Sequence, residues 1–435
     1  MWRFLMGATV LGGIWAPAAQ AQVSTVVRPV VAADYNQDRN VSVEERARPD
    51  YDALGIRSGG MLILPRLDLG TVVADNVYAS PTDRTGDVYF VAAPSVSARS
   101  DWSRHALQLS AGGAFRRYAN QPVLNREEWN LRALGRLDIL DSMSLTGEGQ
   151  AALIREEPFS SQLSAPLAAL STYRRDFLST KFERQVGRTR LIATADYTDL
   201  RFRPLEFRNG VIQSQADRNR QIVNVQGQGE YALSPGFVVF GQGTYTDINY
   251  DRTLLNGNPN RDSGGWRAQA GFNADISAFF RGTLAVGYAQ RNYKSPIYAN
   301  VGGLSAQGEL TYFLSRNTDI TLELHRQLDD AVIVGNGAFF DSAVALRVNH
   351  ELFSNVLLEG NVAYQNQDYA NSNLSYDIVR VGGHADYLIN NRFRVRFSTD
   401  YGYRTSPLST TVGQGLIGSA KIEQFNAGLS LIIQR

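Results

Sequence analysis

Residues 392–404 read RFRVRFSTDYGYR. Phe393, Val395, Phe397, Tyr401 and Tyr403 take one set of alternate positions, and Arg392, Arg394, Arg396, Asp400 and Arg404 take the other. A period of two belongs to a strand, whose successive side chains point to opposite faces. A soluble sandwich would turn the apolar set inward. A membrane barrel would turn it to lipid and leave the charged set facing a wet lumen. The strand alone allows both, and its surroundings decide. Asn390-Asn391 before it is a tight turn, whereas Thr405–Gly418 after it is a long connection.

The same asymmetry runs along the chain. Short connections fall at Asp101-Trp102-Ser103, Leu140-Asp141-Ser142, Val186-Gly187, Ser234-Pro235-Gly236, Ser315-Arg316 and Phe353-Ser354. Between them come longer ones at Glu156–Leu170, Arg203–Asp217 and Asp251–Asp262. Short turns on one side and long loops on the other mark an outer-membrane barrel. From about residue 60 onward the pattern gives eighteen antiparallel strands, with sixteen as the alternative, from 61–77 to 419–434. The expected fold is all-β, a closed antiparallel transmembrane β-barrel. A tilted strand needs roughly 9–11 residues to cross the hydrocarbon, and these segments exceed that. Tyr245, Tyr250, Tyr288, Tyr293, Tyr364 and Tyr369 lie toward strand ends, where interfacial girdles form. An even strand number puts both chain ends on the short-turn side, which is periplasmic in such barrels.

Composition agrees and narrows the alternatives. The 435 residues are 43% hydrophobic and 20% charged, which is folded rather than disordered composition. A net charge of +1 gives no pull toward nucleic acid. There is no cysteine, which removes disulfides, thiolate catalysis, cysteine zinc sites and a lipoprotein anchor. Lys181, Lys294 and Lys421 are the only lysines, so the basic residues are nearly all arginine, whose planar fork suits carboxylates and phosphates. After the first residues, no run of about eighteen apolar residues offers a membrane helix.

The N-terminus divides into two parts before the barrel. Arg3, the apolar run Phe4–Trp15 and the small-x-small site Ala19-Gln20-Ala21 make residues 1–21 a signal peptide, with the mature chain starting near Gln22. Residues 22–59 are polar and contain proline, without alternation, and read as a periplasmic extension. Residues 60–435 are the barrel. Within the extension, Asp34, Asn36, Asp38, Asn40, Ser42 and Glu45 have the spacing of a calcium loop. Arg39 stands where that loop needs glycine and no helix precedes it, so the stretch reads as a solvated linker and no metal is assigned.

Two resemblances follow from particular residues. Asn426, Gly428, Leu431 and Ile433 resemble the last-strand signature by which the assembly machinery recognises outer-membrane barrels. Ile433 replaces the usual terminal aromatic, and Gln434-Arg435 follow it. Arg48, Pro49, Asp50, Tyr51, Gly55 and Arg57 lead into the first strand, and Asp75, Asn76 and Tyr78 close it. These residues resemble the outer-membrane family called putative β-barrel porins, with Ala47 where that family has proline. The motif covers about forty residues, and the rest of the likeness is architecture. Members of that family look like the membrane-spanning partners of periplasmic polysaccharide-export proteins. The resemblance therefore implies a pore in the outer membrane that carries a polymer.

Enzyme chemistry finds little footing. His105, His325, His350 and His384 are the only histidines and fall on separate segments. No nucleophile elbow and no metalloprotease helix accompanies them. Glu44-Glu45, Glu127-Glu128, Glu156-Glu157 and Asp329-Asp330 are adjacent carboxylates, and neighbours on a strand point to opposite faces. No catalytic residue, metal ligand or cofactor is assigned. The polar face is more informative. Arg190, Asp196, Glu323, Glu359, Arg392, Arg394, Arg396 and Asp400 are candidates to line the lumen, where Arg, Asp, Glu, Asn and Gln suit hydroxylated or acidic solutes. The sequence thus points to a polysaccharide-export pore with a periplasmic partner. A diffusion porin for small hydrophilic solutes, or a barrel enzyme or anchor, remains as an alternative.

Overall fold

The computed structural model describes residues 41–81, 83–156, 171–207, 210–275, 277, 279–331, 337–370, 372–405 and 421–435. The segment expected as a signal peptide, and Asp34, Asn36, Asp38 and Asn40, lie outside the described residues.

Eighteen strands close into one antiparallel ring. They are β1 (Met61–Ala74), β2 (Asp87–Ser100), β3 (Ala106–Tyr118), β4 (Arg126–Leu140), β5 (Met143–Arg155) and β6 (Thr172–Val186). They continue through β7 (Thr189–Phe202), β8 (Arg220–Ser234), β9 (Phe237–Tyr250), β10 (Ser263–Asp275), β11 (Phe280–Tyr293) and β12 (Val301–Ser315). The last six are β13 (Thr318–Asp330), β14 (Ala338–Phe353), β15 (Val356–Tyr369), β16 (Ser375–Leu388), β17 (Phe393–Thr405) and β18 (Ile422–Gln434). Each pairs with its neighbours in sequence. The ring closes where β18 pairs β1, from Arg66 opposite Gln434 to Ala74 opposite Asn426. The expected count of eighteen and the closed antiparallel ring are both found. A further short strand, Ile56–Ser58, lies outside the ring and pairs with the start of β1, just beyond the reach of β18.

The turn asymmetry is as the sequence implied. At one end the connections are as tight as Gly187-Arg188 and Ser354-Asn355. Gly187 has φ +58°, a conformation that a residue with a side chain adopts only at a cost. At the other end lie the long connections, including 203–219 and 251–262.

The burial pattern is inverted relative to a soluble protein. Leu304 is 58% exposed while Ser305 beside it is 1% exposed, and Leu429 at 58% adjoins Ser430 at 5%. Apolar side chains therefore clothe the outside and polar ones the inside, which is stable only in a lipid bilayer. Strands of 13 to 16 residues are long enough to cross it when tilted. The aromatic girdle is only half of what the sequence suggested. Tyr245, Tyr288 and Tyr364 face outward at 56%, 47% and 49% exposure. Tyr250, Tyr293 and Tyr369 sit five residues further on, an odd step, so the pleat turns them inward. There they pack at the long-loop end, Tyr369 against Phe339 and Tyr293 against Tyr298.

Candidate functional site

The lumen and its two mouths hold the chemistry of this chain. At the short-turn mouth the segment before β1 packs against the barrel wall. Val43 is buried, and its backbone N–H donates to Asp319 Oδ1 on β13 at 2.6 Å. Asn349 on β14 donates to the other oxygen of Asp319 at 2.8 Å. Arg46 and Arg48 both pair with Glu351 on β14, at 2.8 and 2.9 Å. Arg48 also donates to the Val43 carbonyl at 2.8 Å, folding the segment back on itself. Glu44 meets Glu359 on β15 and His384 on β16, and the ligand atoms of the three lie within 4.8 Å of one another. Glu44 itself stays exposed, but the crowding barrel wall, followed by the neighbouring Glu359 carboxyl, pushes it up to about 7. Among the described residues this is the one set with the donors for a metal ion.

The motif that leads into the barrel has a structural account. Pro49 and Asp50 are the central residues of a turn in which the Tyr51 N–H donates to the Arg48 carbonyl at 2.8 Å. The Arg48 N–H donates in turn to Asp52 Oδ2 at 2.6 Å. The Tyr51 carbonyl accepts from Gln434 Nε2 at the end of β18, at 3.0 Å. Gly55 has φ +72°, and a Cβ there would meet Leu62 at 2.5 Å, so only glycine fits. Arg57 pairs with Asp101 at 3.0 Å on the exposed rim. The second half of the motif sits at the opposite end of the same seam. Asp75 Oδ1 accepts from the Phe425 N–H at 2.7 Å. Asn76, fully buried, donates to the Ser80 and Glu423 carbonyls at 2.8 Å each and accepts from the Ser80 N–H at 2.9 Å. Tyr78 donates to Gln121 at 2.7 Å. Both halves thus clasp β1 to β18, the junction where the ring closes. The last-strand residues share that junction: Asn426 and Gly428 face inward, and Leu431 faces outward with Ile433 on the same side.

The candidate lining residues mostly form ion pairs within the wall. Arg190, 2% exposed, forks onto Glu230 at 2.8 and 3.0 Å and reaches Glu183 at 3.1 Å. Asp196 faces inward six residues along the same strand, buried beside Ser179 and Asn224. Glu323 pairs with Arg347 at 3.3 Å, and Glu359 accepts from Asn361 at 3.3 Å. Arg394 and Arg396 converge on Asp386, at 3.2 and 2.6 Å. Asp400 is half-buried in register with Gly382 and Asn426. Arg392 lies exposed in the turn before β17, outside the strand.

Sequence reading did not single out a belt of amides. Gln228 donates to Glu230 at 2.7 Å, Gln226 to Gln228 at 3.3 Å and to Gln242 at 3.4 Å, Gln242 to Gln269 at 2.6 Å, and Gln269 to Ser305 at 3.1 Å. The chain crosses β8, β9, β10 and β12 on the inner wall. Its signal in the sequence was glutamine at the alternate positions Gln226 and Gln228, with Gln242 on the next strand, though pairing between strands is not visible there.

At the long-loop mouth the described connections turn charged side chains against the wall. Arg218 pairs with Glu156 and stacks over Phe202 at 4.0 Å. Arg261, 4% exposed, lies over Tyr250 at 5.1 Å and donates to the Ala331 carbonyl. Asp330 takes Arg291 and accepts from Tyr250 at 3.1 Å. The histidines occupy separate hydrogen-bond sets. His325 contacts Asp341 at 2.9 Å, His350 contacts Thr318 at 2.9 Å, and His105 accepts from the Asp138 N–H at 3.1 Å in a turn.

A family model described as "Putative beta-barrel porin 2" matches residues 48–415. No curated protein sequence matches the chain. Among solved structures, the outer-membrane protein OpdK of Pseudomonas aeruginosa is similar at 10% identity and a TM-score of 0.43, over 86% of this chain and 99% of that one. OccAB3 of Acinetobacter baumannii gives the same identity, TM-score and coverage. The siderophore receptor PirA of Acinetobacter baumannii is similar at 8% identity and a TM-score of 0.46, over 85% of this chain and 80% of that one.

Proposed function

This chain belongs to the family Putative beta-barrel porin 2, and on that premise we propose that it is the outer-membrane pore for a secreted polysaccharide, supplied by a periplasmic export protein. The observation that carries the reading is the N-terminal segment in the short-turn mouth, held by Val43, Arg46 and Arg48. An even-stranded barrel has both chain ends at the periplasmic mouth, so this segment faces the compartment from which polymer arrives. It is held by a few polar contacts and the buried Val43 side chain. A periplasmic protein that grips the segment would draw it aside and open the path. The inner wall supports the same reading, since a belt of glutamine amides offers hydrogen bonds to sugar hydroxyls. Deleting the gene tests it. Lectin staining of intact cells and of the periplasmic fraction should then show polymer lost from the surface and retained inside. Unchanged surface polymer would overturn the reading.

A second reading, a diffusion porin for small hydrophilic solutes, is supported by the connection 251–262. Its Arg261 turns inward at the long-loop mouth, as a constriction loop would. It predicts slowed uptake of small solutes in the same deletion strain, with surface polymer intact.

A further inference from the structure

One arginine of the inner wall, Arg267, leaves two guanidinium nitrogens closed and unbonded. Arg132 is answered by Glu148 at 2.6 Å, Arg190 by Glu230, and Arg396 by Asp386. Arg267 on β10 is not. Among the described residues no carboxylate meets it, and its Nε and Nη2 are closed to water and bonded to nothing. Its cross-strand neighbours are Thr244 on β9 and Ala289 on β11. The inward positions around it, Gly265, Gly287 and Ala289, carry at most a methyl group. The sheet itself therefore supplies no counter-charge. One step along the strand is Gln269, a member of the amide belt, bonded to Gln242 and Ser305.

An arginine held half-buried with unsatisfied donors is costly unless something completes it. A guanidinium completes most strongly with a planar oxyanion, and because Nε and Nη2 are closed against the wall, an oxyanion in the lumen takes them by drawing the side chain off it. Directly beside it the belt provides amides that pair with hydroxyl groups. We propose that Arg267, set against the Gln242–Gln269–Ser305 row, is a subsite for the carboxylate of an acidic sugar, so that the transported polymer is anionic. The proposal rests on the transport reading above and names the substrate class of that lumen.

Calorimetric titration of the purified full-length protein in detergent tests it. The probes are an oligogalacturonate and the methyl ester of the same oligosaccharide, which differ only in charge. The acid form should bind at least about ten-fold more tightly than the ester, as expected for one charge-assisted pair in a partly desolvated site. Arg267→Gln should erase the preference, and Arg267→Lys should keep part of it. Arg132→Gln, which removes an inward cation already answered by Glu148, should keep it. Equal affinity for acid and ester in the unaltered protein, including no binding of either, overturns the proposal. So does a preference that survives Arg267→Gln or that vanishes equally in Arg132→Gln. None of these outcomes touches the transport reading, which falls if surface polymer is unchanged on deletion.

Discussion

Glu351 is the anchor of the N-terminal segment, and its removal should set the segment free. It accepts from Arg46 at 2.8 Å and Arg48 at 2.9 Å, and its side chain is 16% exposed against 26% and 10% for the two arginines. Hydrogen bonds to charged groups are worth about 1.5–3 kcal/mol each when sheltered. These are partly wet, and glutamine keeps one acceptor, so Glu351→Gln should cost docking about 2 kcal/mol after that discount. Such a change shifts the docked-to-free ratio by roughly 30-fold. The chain has no cysteine, so a single thiol reports cleanly. Val43 is 2% exposed when docked, and Val43→Cys places a thiol where labelling requires release. The maleimide labelling rate should rise by roughly the same 30-fold factor when Glu351→Gln is added. An unchanged rate would mean that the two ion pairs do not hold the segment, and the anchoring argument would be wrong.

Three further outcomes follow from the same geometry. Glu44 titrates near 7 when docked against 4.5 when free, so docking takes up a proton. Docking is thus strongest below about pH 4.5 and weakens as pH rises through 7; a spin label at Ala47→Cys should become more mobile between pH 6 and 8, Glu44→Gln should abolish that trend, and a flat or opposite profile in the parent refutes it. Arg190→Met leaves the buried Glu230 with no cation, only the Gln228 amide, while Glu183 keeps Lys181; it should cost about 3–5 kcal/mol, lowering the temperature at which the barrel unfolds on a heat-modifiability gel. Arg174→Met, whose ion pair is 56% exposed on the arginine side, should leave that temperature nearly unchanged. Asn76→Ala strips one hydrogen bond across the seam between β1 and β18 and two that brace the loop after β1, and should cost about 2–3 kcal/mol by the same gel, whereas an unaltered melting temperature would deny the seam its clasp.

The fold was legible because it rests on local signals. Alternation within 392–404 and the two-residue turns on one side are properties of neighbouring residues, and they return the strands to within a few positions. The strand expected at 218–232 lies at Arg220–Ser234, and that expected at 302–314 lies at Val301–Ser315. What the sequence hid depends on registry between distant strands. That Arg394 and Arg396 spend themselves on Asp386, while Arg267 meets no acid, follows from which residues stand opposite one another around the ring. The motif from Arg48 to Tyr78 was visible as a pattern, yet its physical role was not. Only the closure of β18 on β1 brings Tyr51 to Gln434 and Asn76 to Glu423. Likewise, nothing local announced that Glu44 would meet Glu359 and His384, residues more than three hundred positions away.

The central claim is that polymer passes through this lumen, and a reversible block tests it most directly. Gln226→Cys places the only thiol of the chain on the inner wall, in a deletion strain complemented with that variant. A bulky reagent attached through a disulfide should stop polymer from reaching the surface and load it into the periplasm. Reduction with a small thiol should restore export within the same cells. Polymer that keeps arriving at the surface while the lumen carries the adduct would contradict the account.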